Sequence, residues 1–113
     1  MSVPFRIHVL GFSAFERNAL ASYFRLAANR TPSYQQADAL RDADFLVVDA
    51  DHADAVATAL AEGRLEGAVF IGAAPPDGAA AWMMRPIDPL HVLRELDAMV
   101  AARAPQRVPP TLS

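Results

Sequence analysis

The sequence predicts an α/β domain in which helices cover both faces of a parallel sheet of about five strands. Strand patterns and helix patterns alternate along the chain, and the inner strands are continuous apolar runs, which are typical of strands buried on both faces. The length of 113 residues fits one domain of this kind. We assign residues 1–103 to the domain and interpret the proline-containing residues 104–113 as a tail or the start of a linker.

The first half of the chain opens with a strand, because Phe5–Ser13 alternates between apolar and polar side chains. Ser13 and Glu16 form an S-x-x-E capping box, which predicts a helix from Ala14. The stretch YQQA is then a short, weak strand, and ADALRDA provides about two helical turns at most. The predicted buried stripe of the first helix is Phe15, Ala19, Leu20, Tyr23, Phe24 and Ala27.

The second half contains two strongly apolar strands, Phe45–Val48 and Gly67–Gly72, and a last strand at Ala81–Met84. Asp51 or His52 caps a second helix, which ends at Gly63. Asp88 and Pro89 supply the N-cap and first-turn proline of the final helix. The residues predicted to face inward are Ala53, Val56, Ala57 and Leu60 in the second helix, and Leu90, Leu93, Leu96 and Val100 in the final one.

Composition excludes several classes of function. The net charge of −3 argues against nucleic acid as a partner, and the absence of cysteine excludes disulfides and thiolate chemistry. All ten positive charges are arginines, so neither a Schiff-base lysine nor a phosphate-loop lysine exists. No apolar run approaches a membrane span, and no basic and then apolar leader opens the chain. We therefore expect a cytoplasmic protein without a membrane partner.

Polar residues follow the predicted strands at the edge where parallel sheets of this type bind ligands. Ser13, His52 and Asp49 could assemble there as a hydrolytic triad, but a nucleophile elbow needs G-x-S-x-G. The second glycine is missing, since Phe15 stands in its place, and Ser13 already serves as a helix cap. A hydrolase is therefore not favoured.

The acidic run that begins at Asp49 does not match a metal or nucleotide site. A calcium loop needs glycine at its sixth position and glutamate at its twelfth, where Asp54 and Leu60 stand. No G-x-G-x-x-G or phosphate loop is present, and the three histidines lack ligand spacing. We interpret Asp51 and Asp54 as residues that cap the second helix or complement its dipole, and expect no cofactor and no metal.

The order of these elements resembles the receiver domain of two-component response regulators over about Phe5 to Ala101. Asp49 stands five residues after Asp44, as the phosphoacceptor of a receiver follows the acidic residue that opens its third strand. The stretch RPID (Arg85–Asp88) is similar to the Lys-Pro-Phe/Ile-Asp signature of the family, whose Lys-Pro bond is typically cis. Trp82 matches the aromatic switch residue, three positions before that lysine.

Three departures from the family pattern concern phosphorylation. The acidic pair that holds Mg²⁺ in receivers corresponds to Gly11 and Phe12, and the phosphate-sensing Thr or Ser corresponds to Gly72. The signature lysine corresponds to Arg85, whose planar fork differs from a compact ammonium. A phosphoryl group would add about −1.5 to −2 charge to this acidic edge without a metal to neutralise it. We therefore expect Asp49 to be a vestigial phosphoacceptor position, and Arg85 to approach Asp49 or Asp51 across the crevice. The crevice is Gly11, Phe12, Asp49, Asp51, Gly72 and Arg85.

The fourth helix of a receiver has no room in this chain. Only twelve residues separate Gly72 from Arg85 and they must include the last strand, whereas a crossover with its helix needs about 10–12 residues by itself. The helix is therefore predicted to be reduced to a turn or loop. Its loss should expose an apolar surface on the last strand and helix, unless the loop AAPPDGAAA folds over it. The predicted interface is Trp82, Met83 and Met84, with a polar rim of His91, Arg94 and Glu95.

These expectations favour a non-catalytic pseudo-receiver that acts by binding a protein partner, a downstream effector domain or a second copy of itself. The alternative is a divergent phosphoaccepting response-regulator receiver with Asp49 as acceptor; the missing acidic pair counts against it. A small-molecule site in the Gly72–Gly78 loop is a third hypothesis.

Overall fold

The computed structural model describes residues 3–103. The predicted tail, residues 104–113, lies outside this range. The strands are β1 (Phe5–Leu10), β2 (Tyr34–Gln36), β3 (Phe45–Asp49), β4 (Ala68–Ile71) and β5 (Ala81–Met83). The helices are α1 (Ala14–Leu26), α2 (Ala53–Ala61) and α3 (Pro89–Arg103), with a single 3₁₀ turn at Leu40–Asp42 where the sequence suggested up to two helical turns.

All five strands are parallel and lie in the order β2-β1-β3-β4-β5. This order is that of the flavodoxin-like doubly wound sheet, with its switch point between β1 and β3. The fold class predicted from the sequence is therefore confirmed. β3 and β4 are buried along their whole length, which explains their continuous apolar sequences.

The two faces of the sheet are covered unequally. The face beneath α1 and α3 holds the larger core, which includes Leu20 and Phe24 from α1 and Val92 and Leu96 from α3. On the opposite face, α2 is the only α-helix among the described residues and packs through Ala55 and Ala59, while Leu40, Leu65 and Ala79 from turns and loops also contact this cluster. The described segment between β4 and β5 contains no helix, as predicted from its length. This difference leaves the β5 side of the α2 face without a covering helix.

The predicted inward faces of the helices need correction at three long side chains, and also at Ala53 and Ala57 of α2, which are exposed. Phe15 is 82% exposed, Leu90 is 60% exposed and Leu60 is 46% exposed. Phe15 precedes the buried Leu20 by five residues, which places it about 140° round α1. Leu60 directly follows Ala59, the residue that packs against the sheet, and is therefore turned away by about 100°. Apolar character alone did not identify the inward stripe.

Candidate functional site

The candidate site lies at the carboxyl edge of the sheet, where the chain leaves β1, β3, β4 and β5. Arg85 is its centre and follows β5 by two residues. The guanidinium contacts the carboxylates of three residues from three other parts of the chain: Glu16 in α1, Asp49 at the end of β3, and Asp51 in the loop before α2. We call these four residues the Arg85 cluster.

The contacts use every nitrogen of the guanidinium. Nε and Nη2 donate to the two oxygens of Glu16, each at 3.1 Å, which is a bidentate arrangement. Nη1 donates to Oδ2 of Asp51 at 2.7 Å, and Nη2 lies 3.1 Å from Oδ2 of Asp49. The expectation that Arg85 approaches Asp49 or Asp51 is confirmed for both residues. The Arg85–Pro86 bond is cis, as the resemblance implied.

The charge balance of the Arg85 cluster is negative, because three carboxylates surround one guanidinium. The hydrogen bonds to Glu16 and then to Asp49 raise the pKa of Arg85 above its ordinary value, so the side chain stays charged. Phe12 is buried in the larger core and its ring centroid lies 5.8 Å from the Arg85 Cζ atom, within range of a cation–π contact. The guanidinium therefore lies over the Phe12 ring and is contacted at its edges by carboxylates.

Both oxygens of Asp49 are already engaged. Oδ1 accepts a hydrogen bond from the backbone N–H of Asp51 at 2.9 Å, and Oδ2 contacts Arg85. Only 9% of the residue is exposed. An electrophile that approached either oxygen would have to displace one of these contacts, so the site is arranged as a closed ion-pair cluster.

Asp51 does not cap α2, which corrects one of the two alternatives from the sequence. The N-cap is His52, whose Nδ1 accepts a hydrogen bond from the Ala55 N–H at 3.2 Å. Asp51 instead joins two loops, because its Oδ1 accepts from the Ala73 N–H at 2.9 Å while its Oδ2 binds Arg85. The interpretation of Asp51 as a capping residue is therefore wrong.

Glu16 is the member of the cluster that the sequence did not reveal. The capping box predicted that its carboxylate would turn back towards Ser13. Ser13 does cap α1, since its Oγ accepts from the Glu16 N–H at 3.2 Å, but the Glu16 carboxylate binds Arg85, 69 residues away. No local signal in the sequence distinguishes these two uses of the side chain.

Two glycines shape the crevice by leaving no room for side chains. Gly11 has a φ of +88°, and a Cβ there would lie 2.7 Å from the Ala55 Cβ. A Cβ at Gly72 would lie 2.9 Å from the Ala50 Cβ and 2.9 Å from the Asp51 carboxylate. The packing of this crevice therefore leaves no room for a side chain at Gly11 or Gly72.

The other chemistry weighed from the sequence does not assemble. Ser13 and His52 serve as the caps of α1 and α2, and Asp49 binds Arg85, so no hydrogen bond links the three as a triad. Within residues 3–103, no group of three or more His, Asp or Glu side chains has a geometry that could hold a metal ion. The contacts observed at the site are ion pairs and hydrogen bonds between distant parts of the chain.

The predicted interface residues separate into two groups. Met83 points into the larger core and is only 4% exposed, so its assignment to the interface is wrong: alternate residues of a strand face opposite sides of the sheet. Trp82 and Met84 are 38% and 61% exposed. The indole N–H of Trp82 donates to the Gly72 carbonyl at 3.0 Å, which anchors the ring beside the end of β4.

The proposed polar rim lies on α3. His91 and Glu95 are one turn apart and their Nε2 and Oε2 atoms are 3.3 Å apart, while Arg94 is exposed. Glu95 also lines a cleft of about 730 Å³ between α3 and the start of β5, together with Ala80 and Ala81. The three rim residues therefore lie on the face of the sheet opposite the side chain of Trp82.

No protein-family model, curated protein or solved structure matches this chain. None of the helices within residues 3–103 is both long enough and apolar enough to cross a membrane.

Proposed function

We propose that this chain is a pseudo-receiver: a non-catalytic signalling module that acts through protein–protein contacts and is not switched by Mg²⁺-dependent phosphorylation. The observation that carries the proposal is Arg85, which occupies the crevice and engages Asp49 together with Glu16 and Asp51. The positive charge that an incoming phosphoryl group would need is already neutralised by these carboxylates, and the carboxylates that could attract a metal ion are already paired with Arg85.

The packing around the crevice supports the same proposal. Phosphoryl transfer to a carboxylate depends mostly on positioning and on neutralising developing charge, which is the work of a metal ion in receivers. Gly11 cannot be exchanged for an acidic residue without steric overlap and a strained φ, and Phe12 is a core residue. Gly72 likewise has no space for a hydroxyl-bearing side chain. The features that disfavour phosphorylation are therefore built into the backbone and the core.

The closed cluster also supports a constitutive mode of action. Arg85 connects the start of α1, the end of β3 and the loop before α2 to the segment that leads into α3. A module whose crevice is held by these contacts presents one surface to its partners at all times. The partner is a protein, either a separate chain or a downstream effector domain.

The proposal is tested by incubating the protein with acetyl phosphate, and separately with beryllofluoride, in the presence of Mg²⁺. We expect no change in intact mass and no Mg²⁺-dependent shift of the Asp49 amide resonance. The Arg85→Lys variant, which restores the residue type of the family signature, should also remain unmodified because the metal ligands are still missing.

The Asp49→Asn variant is the matched control for any mass increase in the wild type. A stoichiometric adduct that forms in the wild type and is lost in Asp49→Asn would overturn the proposal. It would favour the alternative, a phosphoaccepting receiver in which the Asp49 carboxylate leaves Arg85 to accept the phosphoryl group.

A further inference from the structure

The two edges of the sheet differ in character although each ends in a strand of three residues. The β2 edge is Tyr34–Gln36 and carries two amide side chains, whereas the β5 edge is Ala81–Met83 and carries Trp82 at its centre. Open edge strands in soluble proteins are usually protected by charged residues or proline. No charged residue stands between Gly78 and Met84, and the first one after them, Arg85, turns inward to its cluster. The β5 edge is therefore unprotected.

The backbone of β5 presents hydrogen-bonding groups outward at one residue. The Gly72 N–H donates to the Met83 carbonyl at 3.0 Å, so the peptide groups of Met83 point towards β4. Peptide groups of successive strand residues point in opposite directions, so the N–H and C=O of Trp82 point away from β4. Trp82 is thus the centre of an edge that can accept another strand.

We infer that a second copy of this chain pairs with β5 in antiparallel fashion, about a twofold axis through Trp82. In this arrangement each Trp82 N–H donates to the Trp82 carbonyl of the other copy, which closes a reciprocal pair of hydrogen bonds. The inference rests on the proposed function, because it names the partner of the protein-binding surface. It joins two five-stranded sheets into one continuous sheet.

The side chains on both faces of β5 suit a second copy. On the α2 face, which lacks a helix over β5, the two indoles lie opposite each other, as directly opposed residues of an antiparallel pair do. On the other face, Glu95 lines the cleft between α3 and the start of β5, so this pairing would bring the α3 helices of the two copies, which carry His91, Arg94 and Glu95, towards each other. Charges of both signs on one flank are self-complementary in an isologous interface, whereas a strongly basic or acidic partner would find half of them repulsive.

The length of β5 also favours a second copy over an extended peptide. A three-residue edge offers a long peptide only one outward residue with which to pair, namely Trp82. A twofold axis uses that residue twice and adds contacts between the α3 helices. Because the strand is short, the dimer is expected to be weak and concentration-dependent, in the micromolar range or above.

The experiment is sedimentation equilibrium on the full 113-residue chain, combined with amide hydrogen exchange at low and high protein concentration. We expect a monomer–dimer equilibrium, and slower exchange of the Trp82 amide at high concentration. The Gln36 amide is the internal control: the Ala37 N–H donates to Ile7 at 2.7 Å, so the Gln36 peptide groups point out from the other open edge. Its exchange should not change with concentration.

Two lysine variants test which edge of the sheet mediates association, β5 or β2. Trp82→Lys should weaken association about tenfold or more, because each copy then brings a charge to the axis. Gln35→Lys, an exposed change on β2, should leave association unaltered.

A wild type that stays monomeric at millimolar concentration overturns the inference, and so does a dimer whose Trp82 amide exchanges freely. Neither result bears on phosphorylation, so failure of this inference is distinguishable from failure of the proposed function. If Trp82→Lys does not fold, the exchange of the wild-type Trp82 amide still decides the question.

Discussion

Two arginine clusters lie at opposite ends of the sheet and hold it in different ways. At the carboxyl end, Arg85 binds three carboxylates. At the amino end, Arg30 forms a bidentate pair with Asp97, whose Oδ1 also accepts the hydroxyl of Tyr34 at 2.6 Å. We call Arg30, Tyr34 and Asp97 the Arg30 cluster. Both clusters join residues more than sixty positions apart, which neither local propensity nor hydrophobic pattern encodes.

The two clusters differ in charge balance. The Arg30 cluster is neutral, and its arginine and aspartate side chains are 38% and 29% exposed, as expected of a surface tether. The Arg85 cluster has an excess of two negative charges around a guanidinium that is 31% exposed. Loss of Arg30 would leave one carboxylate that still accepts the Tyr34 hydroxyl, whereas loss of Arg85 would leave three neighbouring carboxylates without a cation. The comparison indicates that Arg85 is central to the site rather than one tether among several.

Replacing each arginine in turn is the most direct way to compare the contributions of the two clusters to the free energy of unfolding. We expect Arg85→Met to lower the free energy of unfolding by about 3 kcal/mol at neutral pH, near the lower end for breaking a buried ion pair because the site is partly exposed. Added salt should reduce this loss, because screening weakens the repulsion among the three carboxylates that are left without their cation. Urea denaturation at low and high ionic strength measures the effect. A loss that is independent of salt would show that packing on Phe12, not charge, is what Arg85 contributes.

The shape of the crevice can be tested separately from its charge. Gly11→Ala should cost about 2–4 kcal/mol, because it combines an unfavourable positive φ with overlap against Ala55. Gly63→Ala is the matched control: Gly63 also has a positive φ, of +67°, but a Cβ there would meet nothing within 4 Å. It should cost only about 1 kcal/mol. Equal losses in thermal or urea denaturation would contradict the tight packing at Gly11.

Tyr34 is the most buried member of the Arg30 cluster, and its hydrogen bond to Asp97 can be removed without removing the ring. Tyr34→Phe removes the hydroxyl that Asp97 accepts and should cost about 1 kcal/mol at neutral pH. Burial, followed by the hydrogen bond to Asp97, raises the pKa of Tyr34 above its ordinary value of about 10. As the pH rises, the Tyr34 hydroxyl therefore ionises in the unfolded chain before it ionises in the folded protein. The contribution of Tyr34 to folding stability is complete below a pH of about 10 and declines as the pH rises further. The alkaline decline in urea stability should be shallower in Tyr34→Phe; an identical decline would exclude this contribution.

The smallest effect is expected for Arg30→Met. The pair with Asp97 is partly exposed, and such pairs contribute about 0.2–1 kcal/mol. Added salt should reduce the difference from the wild type further, because screening weakens exposed ion pairs. A loss as large as that of Arg85→Met would abolish the distinction between the clusters. Denaturation at low and high ionic strength provides the measurement.

The sequence predicted the parts of the site that depend on local chemistry. Asp49 follows an apolar strand, Ser13 stands three residues before Glu16, and RPID follows the last strand, so each could be placed at the carboxyl edge. The contact of Arg85 with Asp49 or Asp51 was predicted because Arg85 is the cation expected on that edge. Met83 was misplaced because the apolar stretch gives no indication of which of its residues faces the core.

Local sequence was enough to predict the alternation of strands and helices, the cap of α1 and the absence of a helix between β4 and β5, because these follow from nearest-neighbour chemistry and chain length. Packing between distant elements determines which carboxylates surround Arg85, which glycines have no space for a side chain, and that Trp82 rather than Met83 is exposed. These features depend on strand order and register, which bring Glu16 within 3.1 Å of Arg85 across 69 residues of chain. A contact at that separation depends on how whole helices and strands pack against one another. The sequence around each of the two residues contains no signal that predicts it.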